Sequence, residues 1–164
     1  MVLSVAVQYG WRLFSWDIGN AFLRGLSFEE LAAQQGGNAS ETLREACFTP
    51  PAAVYAILQG WNKFKGANKF SHMLRLLKGA YGFKDAPKLW KKRLEEFFNN
   101  HEGKQSMLDS CVWMWFDETG LVGILSTHID DLKGCGTEKW QEPLCEDLVK
   151  ALGKVTKEHT KFEH

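Results

Sequence analysis

No apolar run in this chain reaches the ~18 residues of a membrane-spanning helix, so no such span is expected. The four cysteines, Cys47, Cys111, Cys135 and Cys145, contain no C-x-x-C pair. Scattered free thiols are therefore the expectation, and a zinc site is not. The apolar residues 1–7 lack the basic n-region of a signal peptide and are too few for its core. An intracellular protein, cytoplasmic or nuclear, is expected. Internal repeats and low-complexity tracts are missing. So is net charge: 20 Lys plus Arg balance 20 Asp plus Glu, without the basic excess usual in a nucleic-acid-binding domain.

What is there is globular material. The 164 residues are 45% hydrophobic and 24% charged, which suits one domain with a real core. Aromatics reach 13%, with 7 Trp and 11 Phe, and imply large buried or stacking surfaces.

Leu13, Phe14, Trp16 and Ile18 read as a buried strand ending near Asp17. Asn20 begins a helical turn over residues 21–24. Ser27 and Glu30 have the spacing of a capping box that opens a short helix. Residues 34–70, broken by Gly36-Gly37 and Pro50-Pro51, read as an irregular insertion with one or two short helices. Leu89, Trp90, Leu94, Phe97 and Phe98 recur at helical spacing and predict an amphipathic helix over 86–100. Residues 110–116 and 121–127 predict a β-hairpin that runs into Asp130 and Asp131. A returning strand over 132–136 and a helix over 138–152 follow.

Asp17 and the Asp130-Asp131 pair each stand where an apolar strand ends. Taken singly, such residues are caps or turn formers. Taken together, on neighbouring strand ends, they would converge. Like charges that close raise one another's pKa unless a cation intervenes, and oxygen-only ligands suit Mg²⁺ or Mn²⁺. The neutral total also conceals a division. Residues 63–104 hold eleven basic and four acidic side chains, a net +7 against −7 elsewhere. Trp61, Phe64, Phe70, Tyr81, Phe83 and Trp90 lie in or beside this block, a mixture suited to phosphates and stacked bases. Its plain alternative is a solvated helix face with Trp90 in the core.

Three blocks carry a family resemblance. Residues 16–25, WDIGNAFLRG, resemble the L-D-V-x-x-A-F-L-x-G block of copia-type retrotransposon reverse transcriptases. Residues 76–90, LLKGAYGFKDAPKLW, are similar to that family's L-x-K-S-L-Y-G-L-K-Q-A-P-R-x-W block. His128-Ile129-Asp130-Asp131 resembles its Y-V-D-D block, and all three stand in the family's order. Residues 153–162 resemble a degenerate version of the next palm segment, while 32–62 match poorly.

The resemblance implies a polymerase palm: an α/β fold in the α+β sense, with a mostly antiparallel sheet and helices packed on one face. Asp17, Asp130 and Asp131 would be catalytic and would bind two Mg²⁺ (or Mn²⁺) ions. Phe22 would exclude a ribose 2′-hydroxyl, and Tyr81 and Gly82 would line the nucleotide pocket. Lys84 and Lys88 would face template or primer phosphates, and His128 would sit near the primer terminus. Implied partners are an RNA or DNA template–primer, deoxynucleoside triphosphates and remaining polyprotein segments, with no membrane. Residues 1–164 would form a single partial domain, with the start of the fingers and the thumb outside it, and would be inactive alone. His128 replaces an aromatic of the family pattern, and Asp85 replaces its Gln. The competing expectation is a non-catalytic nucleic-acid-binding remnant of a decayed element. A nucleotide cyclase-like two-metal enzyme is a third, against which Phe22 and the Tyr81-Gly82 block argue.

Overall fold

A computed structural model describes residues 1–34 and 45–159. The chain divides into two compact units, one of residues 1–25 and 80–164, the other of 26–79.

The first unit opens with α1 (Val2–Tyr9), which closes on Gly10 at φ 66°, followed by β1 (Leu13–Ile18) and a single turn, α2 (Ala21–Arg24). The second unit holds α3 (Phe28–Gln34), β2 (Ala46–Phe48), α4 (Ala52–Gln59), a 3₁₀ turn (Asn62–Phe64) and β3 (Leu74–Leu76). The chain then returns to the first unit with α5 (Ala86–Asn100), β4 (Lys104–Gln105), β5 (Val112–Asp117), β6 (Gly120–His128), β7 (Asp131–Gly136), α6 (Glu138–Leu152) and β8 (Val155–His159).

The six strands of the first unit form one sheet in the order β4-β5-β6-β7-β1-β8, and every pairing is antiparallel. The mixed α/β architecture matches expectation in that helices pack against an antiparallel sheet. The helices are not confined to one face. Phe14, Trp16, Ile18, Leu125 and Leu132 form the main core with Trp90, Leu94, Phe97 and Phe98 of α5 and Leu144, Leu148 and Leu152 of α6. On the other face, Ala6, Val2 and Val5 of α1 pack with Leu13, Val112, Ile124 and Cys135. The period of two along each strand separates these sets.

α5 and α6 coincide with the spans expected from spacing. The capping box also forms: Ser27 N–H donates to Glu30 Oε2 at 2.6 Å, and Glu30 N–H to Ser27 Oγ at 3.1 Å. The span expected to be irregular, 34–70, holds the short helix α4 and the strand β2, which pairs with β3 just beyond it. Residues 35–44, including the Gly36-Gly37 break, lie outside the described residues. The four cysteines are free thiols, with Cys135 and Cys145 buried. Burial pushes the Cys135 thiol up to about 11.

Aromatic bulk reaches this sheet because glycines make room. A Cβ at Gly136 would meet the Trp140 ring at 2.5 Å, and one at Gly123, its partner across β6 and β7, would also collide with that ring. Trp140 therefore lies on a bare patch of backbone, with Trp115 beside it at 5.1 Å between centroids. Gly136→Ala is expected to lower unfolding stability by about 1–3 kcal/mol in urea, with the near-UV signal of Trp140 altered. Unchanged stability would mean that the ring does not depend on this approach.

Candidate functional site

Register decides which side chains meet. Asp17 of β1 pairs directly with Asp131 of β7, and Trp16 with Leu132. Since Trp16 and Leu132 point into the core, the two aspartates point out of it together. Two rows cross the open end of this face. One runs Thr156, Asp17, Asp131, His128 over β8, β1, β7 and β6; the other runs Glu158, Ser15, Lys133, Ser126. Ser15, Asp17, Asp131, Lys133, Thr156 and Glu158 line a cleft of about 510 Å³ there. α1 packs against the apolar residues of the same face and leaves this end uncovered.

Like charges directly opposite on neighbouring strands repel. Here the repulsion is offset from within: Lys133 Nζ lies 2.8 Å from Asp131 Oδ2, and Ser15 Oγ–H donates to Asp131 Oδ1 at 3.0 Å. Lys133 above all holds the Asp131 carboxyl below its ordinary 3.8, against the opposing effect of burial, with Ser15 adding a smaller lowering. The same contact raises the Lys133 ammonium. Asp17 is exposed and Asp131 half-buried.

The hairpin between β6 and β7 turns on two residues, Ile129 and Asp130, because His128 pairs with Asp131. Ile129 takes φ 55°, a conformation that a β-branched residue adopts only under constraint, at a cost of about 1–3 kcal/mol. Two donors hold the turn. Trp90 Nε1–H reaches the Ile129 carbonyl at 2.6 Å, and Ile18 N–H reaches the Asp130 carbonyl at 2.9 Å. Trp90 is 1% exposed. The core thus fixes the turn that carries Asp130.

The other expected site residues fall around this face. Phe22 is half-buried, and its ring meets Tyr81 edge-on at 5.1 Å between centroids. Gly82, with φ 87°, follows in a backbone conformation that favours glycine. Gly25 lets α2 touch α5: a Cβ there would stand 3.0 Å from Trp90 N. Lys84 and Lys88 are exposed at the start of α5 rather than on the sheet face. His128 is exposed in the row of the aspartates. Asp130 sits on the turn and does not line the cleft.

The donors of the cleft are oxygens: two facing carboxylates, Glu158 beside them, and the hydroxyls of Ser15 and Thr156. Such a set fits a hard divalent cation and not a soft one. Among the described residues, no group of three or more His, Cys, Asp or Glu is arranged to hold a metal ion. The face offers a pair, with Asp130 beyond it. Ser15 and Lys133 were legible in principle, each standing two residues from an aspartate on its own strand. Thr156 and Glu158 were not, because nothing local announces that β8 joins β1. No described helix is long and apolar enough to cross a membrane.

Two outcomes test this geometry. The lowered pKa of Asp131 contributes stability at neutral pH, lost as pH falls below 3.8 through the native value; its exposure keeps this under about 1 kcal/mol. Lys133→Met removes the cation, so the Asp131 pKa followed by carboxyl NMR rises, and an unmoved pKa would refute the pairing. Ile129→Asn relieves the turn and raises stability by about 1 kcal/mol in urea, whereas a loss would show that Ile129 is not strained. No family model matches the chain, and no curated protein matches it either.

Proposed function

We propose that this chain is the palm segment of a copia-type RNA-directed DNA polymerase. One observation carries the reading. The three sequence blocks that suggested it, far apart in the chain, touch one another pairwise. Asp17 of the first is paired with Asp131 of the third. Phe22 of the first meets Tyr81 of the second. Trp90 of the second donates to Ile129 of the third. Independent caps and turns have no reason to assemble in this way.

On this reading, the Asp17–Asp131 face holds Mg²⁺ or Mn²⁺. The bound ions would neutralise triphosphate charge and favour ionisation of a primer 3′-hydroxyl. The rest of the work is positioning by the chain itself. The two carboxylates are presented side by side by strand pairing. The pinned turn fixes the Asp130 backbone next to them. Phe22, braced by Tyr81, offers an apolar edge that a 2′-hydroxyl would meet without a hydrogen-bond partner. The open backbone at Gly82 allows close approach of a nucleotide. His128 stands one strand from Asp131, where a primer end would lie, and Lys84 and Lys88 supply positive charge for phosphates at the start of α5. Template–primer, deoxynucleoside triphosphates and further polyprotein segments are the partners of this reading, within the cytoplasm or nucleus.

The second reading, a non-catalytic nucleic-acid-binding remnant, is favoured by Lys133, which already occupies one carboxylate. Mn²⁺ titration followed by electron paramagnetic resonance separates the two. The palm reading expects binding that Asp17→Asn and Asp131→Asn each weaken at least about tenfold, the loss of roughly one charged ligand contact. No binding by the unaltered chain would overturn it. Primer extension on an RNA template, with Asp17→Asn as the blank, then decides activity. Extension by the unaltered chain that the blank lacks would support polymerisation.

A further inference from the structure

The core side of β1 borders a second cavity. It measures about 570 Å³, within the range of small-molecule sites, and its lining residues all belong to the first unit. Strand pairing builds one wall, because Trp16 of β1 stands opposite Lys157 of β8. Trp16 faces the core and Asp17 faces away from it, so this cavity and the Asp17–Asp131 cleft lie on opposite sides of the sheet. Helix α6 builds the other wall with Glu138, Gln141, Glu142 and Cys145, which recur at the spacing of one helix face. Arg12 joins from the residues that lead into β1.

One group at this cavity lacks a partner. The Trp16 side chain is wholly buried, and its Nε1–H has no hydrogen-bond acceptor among the described residues. A buried N–H without an acceptor keeps the full cost of leaving water. Two other buried indoles of the same core show the ordinary solution. Trp90 donates to the Ile129 carbonyl at 2.6 Å, and Trp115 donates to the His101 carbonyl at 2.8 Å. Trp16 instead borders open space.

The charges around that space say what acceptor it would take. Arg12 and Lys157 are cations, Glu138 and Glu142 are carboxylates, and all four are exposed. No ion pair joins the two signs among the described residues. Lys157 reaches toward the cavity floor, where burial raises the Cys145 thiol and Lys157 offsets part of that rise. A lone anion would answer Trp16 and the two cations but would meet two carboxylates. A lone cation would leave the indole without an acceptor. A zwitterion answers every group: a carboxylate suits the indole N–H, Arg12 and Lys157, and an ammonium suits Glu138 and Glu142, which stand one helical turn apart. Gly10 and Gly136, which have no side chains, leave room beside Trp11 and Leu13 for an apolar substituent.

We propose that the cavity between α6 and the β1–β8 pair is a binding site for a free α-amino acid, with its carboxylate on Trp16, Arg12 and Lys157 and its ammonium on Glu138 and Glu142. The site needs neither a metal nor a nucleic acid. It holds whether or not the chain polymerises.

L-Phenylalanine titrated into the full chain, read by calorimetry and by the indole N–H signals of the NMR spectrum, tests it. The Trp16 signal should move downfield as the donor gains an acceptor. Its loss in Trp16→Phe assigns it, and sequential assignment of the unaltered chain does so if that variant fails to fold. Arg12→Gln and Glu142→Gln change exposed residues, so the fold survives them, and each should weaken binding about 2- to 10-fold. Hydrocinnamate, which lacks the ammonium, and phenethylamine, which lacks the carboxylate, should each bind at least about tenfold more weakly. Hydrocinnamate bound as tightly as phenylalanine would overturn the zwitterion site and leave a plain anion pocket. Binding with an unmoved Trp16 signal, or no binding up to about 10 mM, would overturn the proposal outright.

Discussion

The register of β1 against β7 is the constraint on which the first unit depends. Side chains alternate along a strand, so one pairing decides both what is buried and what is presented. With Trp16 opposite Leu132, two fully buried side chains join the core. The same register forces Asp17 and Asp131 to face each other on the opposite side. A slip of β1 by one residue would turn the Asp17 carboxylate inward and the Trp16 indole outward. Burying an indole is worth about 1.5–3 kcal/mol, and burying an unpaired carboxylate costs several. The core therefore enforces an arrangement that the carboxylates themselves resist.

A second level of control comes from aromatic packing on bare backbone. Gly123 and Gly136 admit Trp140, and Gly134 admits Phe14, whose ring a Cβ would meet at 2.6 Å. Helix α6, which carries Trp140, can then settle close to the sheet. From α5, the buried Trp90 indole reaches the Ile129 carbonyl. The hairpin turn is strained at Ile129, and strained turns persist only where their surroundings over-determine them. One indole N–H and one backbone N–H do so here, and both come from elements buried in the same core.

This division explains what could be read from the sequence. α5 and α6 were legible because their apolar residues repeat at helical spacing, and the β5–β6 hairpin because its turn, residues 117–120, is chemically marked. Asp17, Asp130 and Asp131 stood out as strand-end carboxylates. α1 was not legible: it is apolar on most sides, with Leu3 and Val7 exposed and Ala6 buried, so it has no clear amphipathic period. Nor were β4 and β8. β4 is two residues long, and β8 carries Thr156, Lys157 and Glu158 among its five, so its strand identity comes from pairing with β1. Gly123, Gly134 and Gly136 fell inside the expected strands, but their use was not legible, because it depends on the rings of Trp140 and Phe14 from elsewhere in the fold. Basic residues with aromatics read as one block, yet the fold divides them, sending Trp90 into the core and leaving Trp61 and Phe70 outside.

Electrostatics at the open end of the sheet closes the account. Two facing carboxylates need positive charge nearby, and Lys133 meets that need with a side chain two residues from Asp131 on the same strand. The consequence has two sides. The face is tolerable without any ion, so folding of the first unit does not wait on a cation. The ammonium also stands where a cation approaching Asp131 would have to compete with it, and it is tethered, so its local concentration does not fall on dilution. A divalent ion carries twice the charge and can engage Asp17 and Asp131 together, while one ammonium at 2.8 Å from Asp131 engages chiefly one of them. Occupancy of this face is therefore a contest between a weaker partner that is always present and a stronger one that must come from solution.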